Sequence, residues 1–326
     1  MKKFFALIAI AIALCACEND DSLSPIEAPA VVAEFRPNLS ELNLFTGDLN
    51  QLNVTPYAVT YTLNSTLFSD YAQKERFIVL PDGEIMEYNG DGLPLFPEGT
   101  IIAKTFYYNN DERDLSLGRR ILETRILIKN NGDWISGDYK WNDDQTDAVL
   151  DLNGSTVAVS WIDAEGTTQN IDYQIPSNAD CLTCHGSYDA LSPIGPKLRN
   201  LNFNLNGSNQ IQQLINDGKL VGLDNSESVA SVVNWKDSSV SLEARTRTYM
   251  DINCAHCHQP GGFCDIQSTL NLSFETPLDE TNISEQKNSI LFRVSSYIPG
   301  VSMPFIGTTV IHTEGADLIE EYLDTL

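Results

Sequence analysis

Residues 37–176 have β character, with short apolar runs rich in β-branched and aromatic residues set between turn signals. Residues 76–80 and 84–88, joined by Pro81-Asp82-Gly83, read as strand, turn, strand. Residues 100–108 form another such run. Residues 123–129 and 134–141 flank Asn130-Asn131-Gly132-Asp133, a hairpin signal. Residues 155–162 and 167–175 flank Asp163-Ala164-Glu165-Gly166 in the same way. Frequent turns and few helical periods predict a β-rich domain, an antiparallel sandwich or open barrel.

After Pro176 the period changes. Ile211, Leu214 and Ile215 share one face of a short predicted helix, with Ser208 as its cap. Residues 241–252 are helical in character. So are 314–323, where Leu318, Ile319, Tyr322 and Leu323 lie on one side. The expected fold class is therefore α+β and multidomain. A β-rich N-terminal domain (37–176) precedes a mainly α-helical domain (177–326).

The N-terminus reads as an export signal, with Lys2 and Lys3 before the apolar stretch 4–14. That stretch is too short to span a bilayer. Leu14-Cys15-Ala16-Cys17 resembles a lipobox, so residues 1–16 form a lipoprotein signal peptide and Cys17 takes the lipid. Glu18-Asn19-Asp20-Asp21 resembles the acidic tag of surface-directed bacterial lipoproteins. Residues 17–36, rich in Asp, Ser, Pro and Ala, form a flexible tether. The expected location is an outer-membrane lipoprotein, facing the periplasm or the cell surface. Net charge is −25, and −27 once both leader lysines leave. Such a balance argues against nucleic acid as a partner and favours solubility and the steering of a basic partner, here a redox protein.

The seven cysteines and four histidines are not scattered. Cys181-Leu182-Thr183-Cys184-His185 and Cys254-Ala255-His256-Cys257-His258 are both C-x-x-C-H runs, the attachment signature of c-type haem. Two thiols one helical turn apart can add to two vinyl groups, and the adjacent imidazole reaches the iron. Zinc ribbons keep their pairs closer than the 70 residues between Cys184 and Cys254. A thioredoxin-like pair needs a βαβ pattern, which is not seen here. Two structural disulfides remain an alternative. The reading is two covalent haems, with His185 and His258 as proximal ligands.

Met303 is the one methionine after the second run, 45 residues past His258, and is the expected second axial ligand there. The sixth ligand of the first haem is open among Met250, Met86, His312, His256 and none. Gly195-Pro196-Lys197-Leu198 resembles the G-P-x-L segment of small cytochromes c, where the proline carbonyl orients the proximal imidazole. By that resemblance Pro196 serves His185. Arg245 and Arg247 read either as propionate partners or as solvated helix charges. Asp70, Lys74 and Arg76 read as a surface ion-pair cluster, and Cys264 as a buried small residue.

The chain resembles an uncharacterised family of exported bacterial dihaem c-type cytochromes, often described beside parallel β-helix proteins. The N-terminal motifs are Pro37-Asn38-Leu39-Ser40, Leu44-Phe45, the run 67–77 (LFSDYAQKERF) and Phe96-Pro97-Glu98-Gly99-Thr100. Next come Tyr139-Lys140-Trp141-Asn142 and Tyr173-Gln174-Ile175-Pro176. The C-terminal motifs are the run 249–258 (YMDINCAHCH) and Met303-Pro304. Met250 stands where a leucine is usual, which weakens it as a ligand. The resemblance implies electron transfer through two haems, and a parallel β-helix protein as a partner. The expected function is therefore an electron carrier and not a catalyst. The alternatives are a dihaem peroxidase or oxidase with one open haem, and a partner-binding or assembly module.

Overall fold

The computed structural model describes residues 28–188 and 190–326. The expected signal peptide, the expected lipid-bearing Cys17 and the first part of the expected tether lie outside the described residues.

A single antiparallel sheet organises the N-terminal half. Its strands are β1 (Ala58–Thr60), β2 (Gln73–Val79), β4 (Ile101–Asn109), β5 (Arg119–Asn130), β6 (Asp133–Trp141) and β7 (Ala148–Leu150), in the order β1-β2-β4-β5-β6-β7. The β5–β6 turn closes through Asn131 and Gly132, both at positive φ (56° and 89°), as a two-residue hairpin requires. Strands β8 (Ser155–Ile162) and β9 (Thr168–Ile175) form a separate hairpin. The expected sandwich or open barrel is thus not observed. The proposed pairing of 76–80 with 84–88 is also replaced. Short strand β3 (Met86–Glu87) turns away and pairs in parallel with β14 (Leu220–Val221).

The expectation of a mainly helical C-terminal domain is overturned. Among the described residues the α-helices are α1 (Asn178–His185), α2 (Leu198–Leu201), α3 (Gln210–Asn216), α4 (Leu242–Asn253), α5 (Ile283–Val294) and α6 (Thr313–Leu323). None exceeds 12 residues. Between them run turns and the two-residue strand pairs β10 (Gly186–Ser187) with β11 (Ala190–Leu191) and β12 (Asn204–Leu205) with β13 (Ser208–Asn209). The cause is local. Gly, Pro and Asn interrupt the apolar period between the short helices, so no long apolar stripe forms. Asn209, not Ser208, caps α3, its side chain accepting from the Gln212 amide.

The two faces of the sheet are covered differently. One buries Phe77, Val79, Ile101, Ala103 and Ile126 against Leu39, Leu42, Leu44 and Leu52. The other carries Ile78 and Ile102 at one end, packed with Leu198, Leu201, Ile211 and Leu220 from beyond Pro176. At its far end Phe106, Tyr108 and Leu122 pack with Val159, Trp161 and Tyr173 of the β8–β9 hairpin. Between these two apolar caps the face is polar, and the first C-x-x-C-H run lies beside it. A third core joins α4, α5 and α6 through Met250, Ile290, Leu318, Ile319 and Tyr322.

Candidate functional site

Helix α1 presents the first run. Ser177 caps it, its hydroxyl accepting from the Asp180 amide (3.3 Å) while the Asp180 carboxylate accepts from the Ser177 amide (2.9 Å). Cys181, Cys184 and His185 then share one helical face by their i, i+3, i+4 spacing. The second run follows α4. The amides of Cys257 and His258 both donate to the Cys254 carbonyl (3.1 and 3.0 Å), which closes one tight turn. Asn253 anchors that turn to the N-terminal half, its Oδ1 accepting from the Phe68 amide at 2.8 Å.

Each run lines its own cavity. The first, of about 130 Å³, is lined by Cys181, Cys184, His185, Pro196 and the β-sheet cations Lys74, Arg76, Lys104 and Arg125. The second, of about 390 Å³, is lined by Cys254, Cys257, His258 and Met303. Cys184, His256, Pro304 and Ile306 line both, so the cavities adjoin.

The two histidines differ in how they are held. Nδ1 of His185 lies 2.8 Å from the Ser192 carbonyl, so that nitrogen donates and Nε2 keeps its lone pair. The acceptor is therefore Ser192 and not Pro196, whose place is in the cavity wall. Burial, aided by the Lys104 charge, pushes His185 down to about 3, so the ring is neutral. Burial also lowers His258, whose Nδ1 is buried without a hydrogen-bond partner. Met303 shares the second cavity with His258, and its loop is tied to α5. The Met303 amide donates to the Arg293 carbonyl (2.9 Å), and Arg293 donates to the Val301 carbonyl (2.8 Å).

The thiols meet where the cavities adjoin. Donor atoms of Cys184, His256 and Cys257 lie within 4.8 Å of one another. Cys257 Sγ donates to the Thr183 carbonyl (3.5 Å). The adjacent Cys257 thiol and His256 draw the Cys184 thiol down to about 5, while the closeness of Cys184 and burial raise Cys257. Burial pushes Cys254 up to about 12. Cys181, Cys184, Cys254, Cys257 and Cys264 are all unbonded, so neither alternative disulfide is present. Cys264 lines the second cavity and is partly exposed, contrary to the expected buried position.

Several sequence candidates fall elsewhere. Met86 is buried against Leu220 and lines neither cavity. Met250 reaches only the second cavity. His312 is neither a surface residue nor a cavity residue. It stacks on Phe68 at 4.2 Å, and its Nδ1 is 2.8 Å from the Tyr249 hydroxyl. His256, buried between the two runs, is the one of these four that lines the first cavity. Arg245 and Arg247 are neither solvated charges nor cavity residues. They donate to the carbonyls of Trp235 (2.8 Å) and Thr276 (2.7 Å).

The surface ion-pair reading of Asp70, Lys74 and Arg76 is also overturned. Asp70 is 1% exposed and accepts from the Thr309 amide, the Thr309 hydroxyl and the Val310 amide. Lys74 and Arg76 face the first cavity. Lys104, Arg125 and Ser192 were missed altogether. Burial first, and then the Arg125 and Arg76 charges, lower Lys104 to about 7. Arg125 is bonded to Glu123 (2.6 and 2.9 Å), which also accepts from the Tyr173 hydroxyl at 2.5 Å. Asp138 lies buried 3.6 Å from Arg125, and burial beside Glu123 raises its carboxyl well above the usual range.

The chain matches no protein-family model, no curated protein and no solved structure.

Proposed function

We propose that the protein is an exported, lipid-anchored c-type cytochrome that carries electrons through two covalent haems. One observation carries this reading: each C-x-x-C-H run lines its own cavity, and the two cavities adjoin. In this reading Cys181 and Cys184 hold the first haem and Cys254 and Cys257 the second. His185 Nε2, left free by the Ser192 hydrogen bond, faces the first iron, and His258 the second. Met303 supplies a thioether in the second cavity, which raises a haem potential relative to a second imidazole. Bound haem supplies the ferric–ferrous couple, while the chain fixes the ligands and excludes water. Lipid on Cys17 ties the protein to the outer membrane, and a basic redox protein or a parallel β-helix protein is its partner.

A specific observation favours a second reading, a peroxidase or oxidase. No methionine is among the residues lining the first cavity, and His256, the histidine there besides His185, belongs to the neighbouring run. A first haem with one open face would admit a small ligand.

Full-length protein from a strain able to mature c-type cytochromes tests both readings. Pyridine haemochrome should count two haems per chain, with the mass increased accordingly. Two low-spin haems inert to carbon monoxide favour the carrier, and rapid binding at one haem with peroxide turnover favours the enzyme. A colourless chain with one zinc on Cys184, His256 and Cys257 would overturn both. Met303→Leu should leave the haem count at two and open the second haem to carbon monoxide, read optically in the reduced protein.

A further inference from the structure

The middle of the polar sheet face carries a row of cations. Arg76 on β2 stands directly opposite Lys104 on β4, and Lys104 stands directly opposite Arg125 on β5. Lys74 lies two residues along β2 on the same face. Side chains directly opposite in an antiparallel pair are about 5 Å apart at Cβ, and like charges there destabilise the sheet. All four line the first cavity.

Among the described residues, Arg125 is the one of the four that is ion-paired with a carboxylate, that of Glu123. Lys74 donates to the carbonyls of Leu67 and Ala72 (both 3.0 Å), and Arg76 to the carbonyl of Lys74 (3.3 Å). Lys104 has no hydrogen-bond or ion-pair partner among the described residues. The other carboxylates at this cavity are engaged. Asp251 is bonded to Arg199 (3.0 Å), Asp180 caps α1, and nearby Asp70 holds Thr309 and Val310. Like charges aligned across three strands repel, and Lys104 meets the Phe106 ring face (4.9 Å to its centroid) in place of a carboxylate, so the row favours a negative occupant.

We propose that Lys74, Arg76 and Lys104, continued by Arg125, form an anion seat on the floor of the first cavity, built for carboxylate or oxyanion oxygens. Two sources share that chemistry. One is the propionates of a haem on Cys181 and Cys184, and this source rests on the dihaem reading. Adjacent strands are about 4.8 Å apart, so the row runs about 10 Å from Arg125, beside the thiols, to Arg76. A porphyrin held by thioethers at one edge carries its propionates on the opposite edge. The other source is a small inorganic oxyanion held at Lys104, and it needs no haem.

The test uses full-length protein, wild type and the variants Arg76→Met, Lys104→Met and Lys104→Arg, with Lys287→Met on α5 as control. Melting temperature, haem count and both midpoint potentials are measured. Nitrite and sulfate are the probes, with chloride at matched ionic strength. An occupied seat predicts that Arg76→Met and Lys104→Met melt lower, while Lys104→Arg and the control do not. With propionates as occupant, one midpoint potential also falls and the probes act no differently from chloride. With a small oxyanion, nitrite or sulfate binds wild type saturably, and Lys104→Met binds it about tenfold more weakly or worse. Methionine variants that melt at or above wild type, with unchanged potentials and no response to the probes, overturn the proposal. In that case the cations simply repel. The haem count on the same samples keeps the readings apart, because a haem-free chain stabilised by sulfate retains the seat.

Discussion

Gly315 has no room for a side chain. A Cβ there would lie 2.1 Å from the Tyr249 hydroxyl and 2.7 Å from His312 Nδ1. The close approach lets α6 rest on α4, and the Tyr249–His312 hydrogen bond runs beside it. Gly315→Ala should therefore cost about 1–3 kcal/mol, as overpacking in a well-filled core does, read from denaturant unfolding. His312 adds a pH dependence of known sign. Burial pushes its pKa from 6.5 down to about 4, so the folded ring is neutral where the unfolded ring takes up a proton. The unfolded chain then binds more protons between these values, and stability falls as pH drops from 6.5 towards 4. His312→Gln should flatten that part of the profile, measured as the urea midpoint against pH. The two C-x-x-C-H runs were visible in the sequence because they occupy consecutive positions, and each lines a cavity. Lys104 was not, because its meaning depends on Arg76 and Arg125, which only strand register brings beside it.

Helix α1 is short, and its stability depends on its first turn. The reciprocal bonds between Ser177 and Asp180 satisfy amides that would otherwise lack partners. Ser177→Ala should cost about 1 kcal/mol of stability, measured by thermal unfolding. Elements with local signals were readable in the same way. The Asn131-Gly132 turn marked the β5–β6 hairpin, and the apolar face at Leu318, Ile319, Tyr322 and Leu323 marked α6. Elements that depend on distant partners were not readable. β3 finds its parallel partner β14 more than a hundred residues later, so Pro81-Asp82-Gly83 looked like a hairpin turn and is not one. The helical reading of 177–326 failed for a related reason. Short periodic stretches were visible, but the sequence did not show that loops and two-residue strand pairs fill the space between them.

The whole chain carries a net charge of −25 at neutral pH. Charge of that size acts beyond contact distance and sets the rate at which partners meet. A basic partner is drawn in, and salt weakens the attraction because the screening length is about 10 Å at 0.1 M and shorter above it. The carrier reading therefore makes a rate prediction independent of the identity of the natural partner. Reduced protein mixed in stopped flow with a small, strongly basic c-type cytochrome should transfer electrons faster at low ionic strength. The second-order rate constant should fall steadily as sodium chloride is raised. With an acidic cytochrome of similar potential the slope should reverse, since salt then relieves repulsion. If both partners gave the same salt dependence, the summed charge would not govern encounter. Approach would then be set by uncharged surface, such as the exposed Phe263 and Phe305 that line the second cavity and stack with ring centroids 6.3 Å apart.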